Sequence, residues 1–195
     1  MATKAHIALG ANVGDAKATL EAAIRALDEL PGYTVREVSK LYATKPVGVE
    51  DQPDFLNAVV AVDVPSGPDP QSGALALLVS LKQLELSFGR KQRKRWGPRE
   101  LDLDLLAFGR AEISVTRPKA GRSKTEPARL LVVPHPEAPK RLFVLQPWSD
   151  VAGSFAPPGW GETVDTARRK RALLEHDDAV RVVGTWDEEA GKWHS

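Results

Sequence analysis

The sequence predicts an α+β fold in which strands and helices follow one another in the order β-α-β-β-α-β. Two segments carry apolar residues at helical spacing, and each follows an aspartate that can cap a helix, at Asp15 and at Asp69. Four other segments have the β-branched or alternating apolar character of strands. With 42% hydrophobic and 27% charged residues, the composition is that of an ordinary globular domain.

Each element has its own signal. Leu20, Ile24 and Leu27 share one face of the first helix, and Pro70 suits the first position of the second. The third segment alternates imperfectly, as a strand with a bulge would. In chain order, the expected elements are a strand over 5–10, a helix over 16–30, a strand over 33–44, a strand over 55–64, a helix over 71–88 and a strand over 100–108.

This order is the ferredoxin-like arrangement, an antiparallel sheet with both helices on one face. The other face is then available to bind ligands. Beyond this core, a helix is expected over 163–175 and a strand over 179–186. We therefore predict a main domain over residues 1–160 and a C-terminal extension over 161–195 that packs on the domain or trails from it.

Composition also limits the class of protein. The net charge of +1 provides no global attraction to nucleic acid or membranes. The absence of cysteine excludes disulfides and thiolate chemistry, and the four histidines are scattered. No apolar run is long enough for a signal peptide or a membrane span. We therefore expect a cytoplasmic protein that binds neither nucleic acid nor membranes.

One short stretch concentrates opposite charges. The segment "RKQRKRWGPRELDLDLL" (Arg90–Leu106) has six cationic side chains in its first ten residues, followed by Asp102 and Asp104. Residues two apart in a strand point to the same side, roughly 6–7 Å apart. Paired carboxylates can hold Mg²⁺, and the cations can hold phosphate oxygens. A nucleotide–metal site fits this combination, although a solvated strand beside a solvated basic loop is the plainer alternative.

Further candidates lie outside this stretch. Phe55 and Asn57 share a strand face, and Phe143 lies in an apolar segment, so two aromatic rings could enclose a flat heterocycle while Asn57 contacts its edge. The alternative is that both phenylalanines belong to the core. His135, between two prolines, could contact a phosphate or cap a turn. No phosphate-binding P-loop motif is present.

Four segments in order resemble the 6-hydroxymethyl-7,8-dihydropterin pyrophosphokinase family of folate biosynthesis. They are "LGANVGD", "ATKPVGVEDQPDFLNAVVAV", "LELSFGRKQRKRWGPRELDLDLLAFG" and "VPHPEAPKRLFVLQPW". The resemblance covers roughly residues 5–151. It implies an ATP-dependent enzyme that transfers diphosphate to the pterin and releases AMP, with two Mg²⁺ ions as cofactors and ATP and the pterin as small-molecule partners. We expect a monomer.

The resemblance also implies roles for individual residues. Asp102 and Asp104 correspond to the metal ligands, and Arg90 and Arg99 to catalytic arginines of a loop that closes over ATP. The positions that correspond to ATP contacts are Glu85, Arg93, Trp96, Arg99, Leu105, His135 and Arg141. Those that correspond to pterin contacts are Thr44, Val47, Phe55, Asn57, Trp96, Asp102 and Phe143.

Some features depart from the family pattern. Either Gln92 or Arg93 stands at the inner arginine position of the loop, and we favour Arg93. Lys82, Leu130 and Val132 differ from the polar residues that some relatives have near ATP. The segment Arg117–Arg129 reads as a basic insertion, and the tail after Gly161 exceeds the minimal family core.

Two other classes of function are alternatives to this enzyme. A ferredoxin-like RNA-binding module would use the basic loop, but the aromatic strand motif of such modules is absent and the two aspartates would repel a phosphate backbone. A regulatory subunit that has lost catalysis is the second alternative. The intact aspartates and arginines argue against it.

Overall fold

The predicted core elements are all present in the computed structural model, which describes residues 1–46, 52–90, 97–116, 129–176 and 178–195. In chain order the elements are β1 (Ala2–Ala11), α1 (Ala16–Asp28), β2 (Thr34–Val38), β3 (Leu41–Thr44), β4 (Phe55–Pro65), α2 (Pro70–Ser87), β5 (Asp102–Phe108), β6 (Ile113–Thr116), β7 (Arg129–Val133), a 3₁₀ turn (Ala138–Lys140), α3 (Leu142–Ala152), α4 (Val164–Ala172), β8 (Val180–Asp187) and β9 (Lys192–His194).

Both core helices begin at the predicted aspartates. The Asp15 carboxylate accepts a hydrogen bond from the Ala18 amide at 3.0 Å, and Asp69 accepts one from the Ser72 amide at 3.0 Å. Each bond satisfies an N–H group that has no partner within the helix. Pro70 takes the first helical position, as predicted, where the lack of an N–H costs nothing.

The main sheet is antiparallel throughout. Its strands lie in the order β5-β1-β4-β3-β8-β9, and β2 also pairs with β4. The single irregular strand predicted over 33–44 is thus two strands that run along the same partner. At the break, Ser39 exchanges hydrogen bonds with the backbone of Val59, through its amide at 3.0 Å and its hydroxyl at 2.9 Å. The predicted irregularity is confirmed.

The two faces of this sheet are covered differently. Alternate residues such as Ile7 and Val60 pack with α1 and α2 in one core cluster, which confirms the prediction that both core helices share a face. The opposite face carries Val59 and Leu106, which pack under α3 and α4 around the fully buried Trp148. Helices α3 and α4 leave the region around Asp102 and Asp104 open on this second face.

The C-terminal extension joins the same sheet. The predicted helix and strand are present as α4 and β8, and β8 pairs with β3. Trp193 of β9 is buried in the first core cluster, and its indole N–H donates to the Ser39 carbonyl at 2.9 Å. The extension therefore completes both the sheet and the core.

Helix α3, the 3₁₀ turn and strands β6, β7 and β9 were not predicted. Strands β6 and β7 form a separate two-stranded sheet on either side of residues 117–128, and those residues, which make up most of the predicted basic insertion, lie outside the described part of the chain. Within the described ranges, none of the helices combines the length and the apolar character needed to cross a membrane.

Candidate active site

Three neighbouring strands bring the predicted site residues together. In the strand register Gly10 of β1 lies between Asn57 of β4 and Asp102 of β5, and Ala8 lies beside Asp104. Period-two alternation places Phe55, Asn57, Asp102 and Asp104 on the face opposite α1 and α2. Because Gly10 has no side chain, the space above the sheet between the Asn57 amide and the Asp102 carboxylate stays open. Gly10 and Ala8 were not identified as site residues from the sequence.

A cavity of about 230 Å³ opens on this face. It lies between the ends of β3, β4 and β5 and the beginning of α3, and most of the site residues predicted from the sequence line it. Those residues are Thr44, Phe55, Asn57, Arg99, Asp102, Asp104, Arg141 and Phe143. The structure thus places residues from four distant segments around one space.

The polar groups at one end of the cavity are held in place. The Asn57 amide donates to the Thr44 hydroxyl at 2.9 Å, and both residues are buried. A buried amide with a fixed partner presents its remaining hydrogen-bonding groups in one orientation. On the other side, the guanidinium carbon of Arg141 lies 5.9 Å from the centre of the Phe143 ring. The cavity therefore combines aromatic surface with oriented polar groups, as a site for a flat, polar ligand requires.

The predicted catalytic arginines converge on Asp102. Arg90 Nη1 lies 2.9 Å from Asp102 Oδ1, and Arg99 Nη1 donates to the same oxygen at 3.2 Å. All three side chains are only partly exposed, at 25%, 27% and 32%, so their charges are less screened than at an open surface. The concentration of opposite charges seen in the sequence is thus a real cluster in space.

Asn12 fixes the backbone at this cluster and was missed by the sequence reasoning. Its buried side-chain oxygen accepts a hydrogen bond from the backbone N–H of Arg99 at 2.8 Å, and the backbone N–H of Asn12 donates to the Arg99 carbonyl at 3.0 Å. Its Nδ2 also donates to the Pro53 carbonyl at 3.2 Å. The available signal was its place in "LGANVGD", one of the segments that carry the family resemblance.

Glu85 lies beneath the cluster rather than along the cavity. Its buried carboxylate accepts the amide of Leu103, the residue between the two aspartates, at 2.8 Å. It also accepts from Lys82 at 2.7 Å and contacts the Arg90 guanidinium. Burial raises the pKa of Glu85, and the two cations oppose that rise. These contacts make Glu85 a support for the β5 strand and for Arg90.

A second, more apolar space adjoins the first. It has a volume of about 480 Å³, and Asp104 lines both spaces. Of the residues predicted to contact ATP, Leu105 and His135 line it. Lys82, Leu130 and Val132, which were named as departures from the family pattern, line it as well. Burial lowers the pKa of His135 below its usual value, and nearby Asp104 opposes that shift.

The donor set suits magnesium. Within the described residues, no group of three or more histidine, aspartate or glutamate side chains is arranged to hold a metal. Mg²⁺ needs only one or two carboxylates, because water and substrate phosphate oxygens complete its shell. Asp102 and Asp104, side by side on one strand face, fit that requirement.

Three predicted site residues, Val47, Arg93 and Trp96, lie outside the described part of the chain, as does Gln92. The same holds for most of the predicted closing loop, residues 91–96. The assignments at these positions therefore stay predictions.

The sequence model of the family described as 7,8-dihydro-6-hydroxymethylpterin-pyrophosphokinase (HPPK) matches residues 6–153. The chain belongs to this family. A Bacillus subtilis relative, named 2-amino-4-hydroxy-6-hydroxymethyldihydropteridine pyrophosphokinase, is 40% identical over 147 residues, which are 75% of this chain and 77% of the relative. A relative of the same name from Methylorubrum extorquens is 38% identical over 180 residues, 92% of this chain and 99% of the relative.

Solved structures of HPPK proteins share the fold. A Plasmodium falciparum HPPK-DHPS triple mutant superposes with a TM-score of 0.72 at 15% identity over 95% of this chain. The chain spans 47% of that longer protein, so it corresponds to about half of it. The family match ends at residue 153, so α4, β8 and β9 lie beyond the residues that the family model matches.

Proposed function

We propose that the protein transfers diphosphate from ATP to the hydroxymethyl group of 6-hydroxymethyl-7,8-dihydropterin and releases AMP. Membership of the HPPK family supports this reaction. The observation that carries it is the position of Asp104, which lines both the polar aromatic cavity and the adjoining apolar space, with Asp102 next to it on the strand. A carboxylate at that junction lies where two bound substrates would meet.

The first cavity is proposed to take the pterin. Phe55 and Phe143 line this cavity and supply aromatic surface for stacking on the pterin ring. The buried Asn57–Thr44 pair supplies hydrogen-bonding groups for the ring edge. Val47 and Trp96 are assigned to the pterin by the family resemblance alone.

The second space is proposed to take the adenosine of ATP. Leu105, Leu130 and Val132 give it an apolar lining suited to a base, and His135 adds a polar group. The triphosphate would then extend towards Asp104, within reach of the cations Arg90, Arg99 and Arg141. Guanidinium groups suit this role because they bind phosphate oxygens with two parallel hydrogen bonds.

Asp102 and Asp104 would hold two Mg²⁺ ions, which neutralise the negative charge of the triphosphate when they are bound. In the reaction, the pterin hydroxyl oxygen forms a bond to the β-phosphorus of ATP. The bond between that phosphorus and the oxygen bridging to the α-phosphate breaks, and AMP leaves. The hydroxyl proton must be accepted as the new bond forms, and Asp102 is the nearest candidate base.

The protein's contribution is mainly positional and electrostatic. Holding two substrates in reacting geometry can supply about 7–11 kcal/mol of the barrier reduction. Arg99 and Arg90 would stabilise the charge that develops on the transferred group, and removal of one such donor from an oxyanion hole costs about 2.7–4 kcal/mol. The ordered Asn12–Arg99 backbone contacts keep Arg99 close to that position.

The products test this reaction class. The protein, ATP, Mg²⁺ and 6-hydroxymethyl-7,8-dihydropterin are incubated together, and the nucleotide product is separated by chromatography. AMP in amounts equal to the pterin consumed supports diphosphate transfer. ADP would show ordinary monophosphoryl transfer and would overturn the proposed reaction.

A further inference from the structure

The C-terminal extension reaches the pterin end of the sheet. Strand β8 pairs with β3 so that Val180 lies opposite Thr44 and Arg181 lies opposite Ala43. Thr44 is the residue whose hydroxyl fixes the Asn57 amide in the cavity. Strand β3, which contributes Thr44 to the cavity, is therefore paired with a strand, β8, that lies outside the family match.

A charged contact links the same strand to the neighbouring aromatic. Arg181 Nη2 lies 2.6 Å from Asp54 Oδ2, and Asp54 directly precedes Phe55 at the start of β4. A second, longer pair joins Lys45, which lines the cavity, to Asp178 at 3.5 Å. Both pairs connect the extension to the ends of β3 and β4 that carry the cavity residues.

The C-terminal extension is bound to the core at β9, so it can fix the position of residues that contact β8. Trp193 is 1% exposed, and its amide donates to the Glu21 carboxylate of α1 at 3.0 Å. Gly184 of β8 lies so close to β9 that an added Cβ would come within 3.0 Å of the Trp193 Cβ. The strand that carries Arg181 is thus fixed against the core at its far end.

We propose that β8 supports the pterin subsite from outside the cavity and that Arg181 is a positioning residue, which acts through Asp54 to fix the start of β4 and hence the Phe55 ring. This inference rests on the proposed function for the identity of the ligand. Arg181 does not line the cavity, and its effect on the ligand is therefore indirect.

The solvent exposure of the Arg181–Asp54 pair indicates how much its loss should weaken pterin binding. The side chains of Arg181 and Asp54 are 48% and 39% exposed, so solvent screens their attraction and the pair contributes modestly. Loss of a half-exposed pair corresponds to about a two- to fivefold change in an equilibrium constant. The change should affect the Kd for the pterin and not the Kd for ATP, because ATP is proposed to bind on the other side of Asp104.

Steady-state kinetics and pterin fluorescence titration of Arg181→Ala test the proposal. We expect the KM and the Kd for the pterin to rise about two- to fivefold, with kcat and the KM for ATP within about twofold of wild type. The charge-swapped double variant Arg181→Asp with Asp54→Arg should restore pterin affinity. Arg181→Gln gives the same comparison if the alanine variant folds poorly.

The matched control is a second arginine–aspartate pair, between Arg36 of β2 and Asp63 near the other end of β4. Arg36 Nε lies 2.7 Å from Asp63 Oδ2, and the exposure of the arginine is similar to that of Arg181. Arg36→Ala should leave the pterin KM unchanged. An unchanged pterin KM in Arg181→Ala, or an equal rise for both substrates, would overturn the role of Arg181.

The same experiment separates this inference from the reaction itself. A wild-type protein that binds the pterin but forms no AMP, with weaker pterin binding in Arg181→Ala, would support the subsite and contradict the reaction. A wild-type protein that forms AMP, with no effect of Arg181→Ala, would support the reaction and contradict the subsite. Absence of pterin binding in the wild type would contradict both.

Discussion

At the scale of single residues, the central feature is a pair of aspartates on one strand face. The period-two rule predicted that Asp102 and Asp104 point the same way, and the register of β5 on β1 confirms it. The sequence also predicted that cations lie close to them, as Arg90 and Arg99 do. The shared face of the two aspartates and the nearness of the arginines were predictable because both depend on spacing within one short segment.

Other residues of the site depend on contacts that no local pattern reveals. Asn12 meets Arg99 across 87 positions of sequence, and Glu85 meets the Leu103 amide from a helix on the opposite face. Glu85 could be assigned to the site region from the family resemblance, but its buried supporting position could not. Tertiary packing alone decides which polar side chain lies beneath a strand.

Substitution of Asp104 tests its position between the two spaces. Asp104→Asn keeps the size of the side chain but removes the negative charge that would bind Mg²⁺. We expect AMP formation to fall by about 10³-fold or more, with an unchanged melting temperature. Asp63→Asn, at the far end of β4, is the control and should retain activity. Wild-type rates in Asp104→Asn would contradict its assigned role.

Substitution of Arg99 separates catalysis from binding. Because its guanidinium is proposed to stabilise charge that develops during transfer, Arg99→Ala should lower kcat by about 10²-fold. The KM for the pterin should change by less than about threefold, and Arg99→Lys should recover only part of the rate, since an ammonium lacks the planar fork. A large rise in the pterin KM with a normal kcat would make Arg99 a binding residue instead.

At the scale of elements, helices α1, α2 and α4 and the long strands were predictable from periodicity and caps, whereas α3, which has no capping side chain, was not predicted. The break between β2 and β3 was predicted as an irregularity, but its form depends on how Ser39 bonds to Val59 of the partner strand. Strands β6 and β9 have four and three residues, too few for a periodic signal. Their pairing partners, rather than their own sequences, specify them.

The packing of α2 against β5 gives a test at this scale. A Cβ added to Gly73 would overlap the Ser66 carbonyl oxygen and lie 2.9 Å from the Phe108 ring. Gly73→Ala should therefore destabilise the fold by about 1–3 kcal/mol despite its better helix propensity. Urea unfolding measures this change. Val79→Ala, on the exposed side of the same helix, should cause little loss, and equal stability of both variants would contradict the close packing.

At the scale of the whole molecule, the extension and the core form one structure. The sequence predicted the helix and the strand of the extension, but not where they dock. That position depends on non-local contacts such as the one between Trp193 and Ser39, which are 154 positions apart. The second face of the sheet is closed in the same way, by α3 and α4 around Trp148.

A buried histidine on that second face makes stability depend on pH. His6 is 4% exposed and packs against the Trp148 and Phe155 rings. Burial, with a smaller effect from Lys4, lowers the pKa of His6 from 6.5 to about 4. The folded protein therefore keeps His6 neutral, while the unfolded chain takes up a proton below pH 6.5. The stability that this residue contributes is present above pH 6.5 and is lost as pH falls towards 4.

This loss of stability at low pH can be measured by urea unfolding at pH 7 and pH 5. His6 should account for about 2 kcal/mol of the difference, because each pKa unit corresponds to about 1.4 kcal/mol. His6→Phe should show a difference smaller by that amount. His194→Gln changes an exposed histidine and should behave like the wild type. An identical pH dependence in His6→Phe would show that His6 is not the group responsible.

The fate of the β-phosphate tests the central claim most directly. ATP that carries a radioactive label only at the β-phosphorus is incubated with the protein, Mg²⁺ and 6-hydroxymethyl-7,8-dihydropterin, and the pterin and nucleotide products are separated. Diphosphate transfer at the Asp102–Asp104 site predicts that the label leaves the nucleotide and appears in the pterin product, together with unlabelled AMP. Label retained in ADP would contradict the proposed reaction.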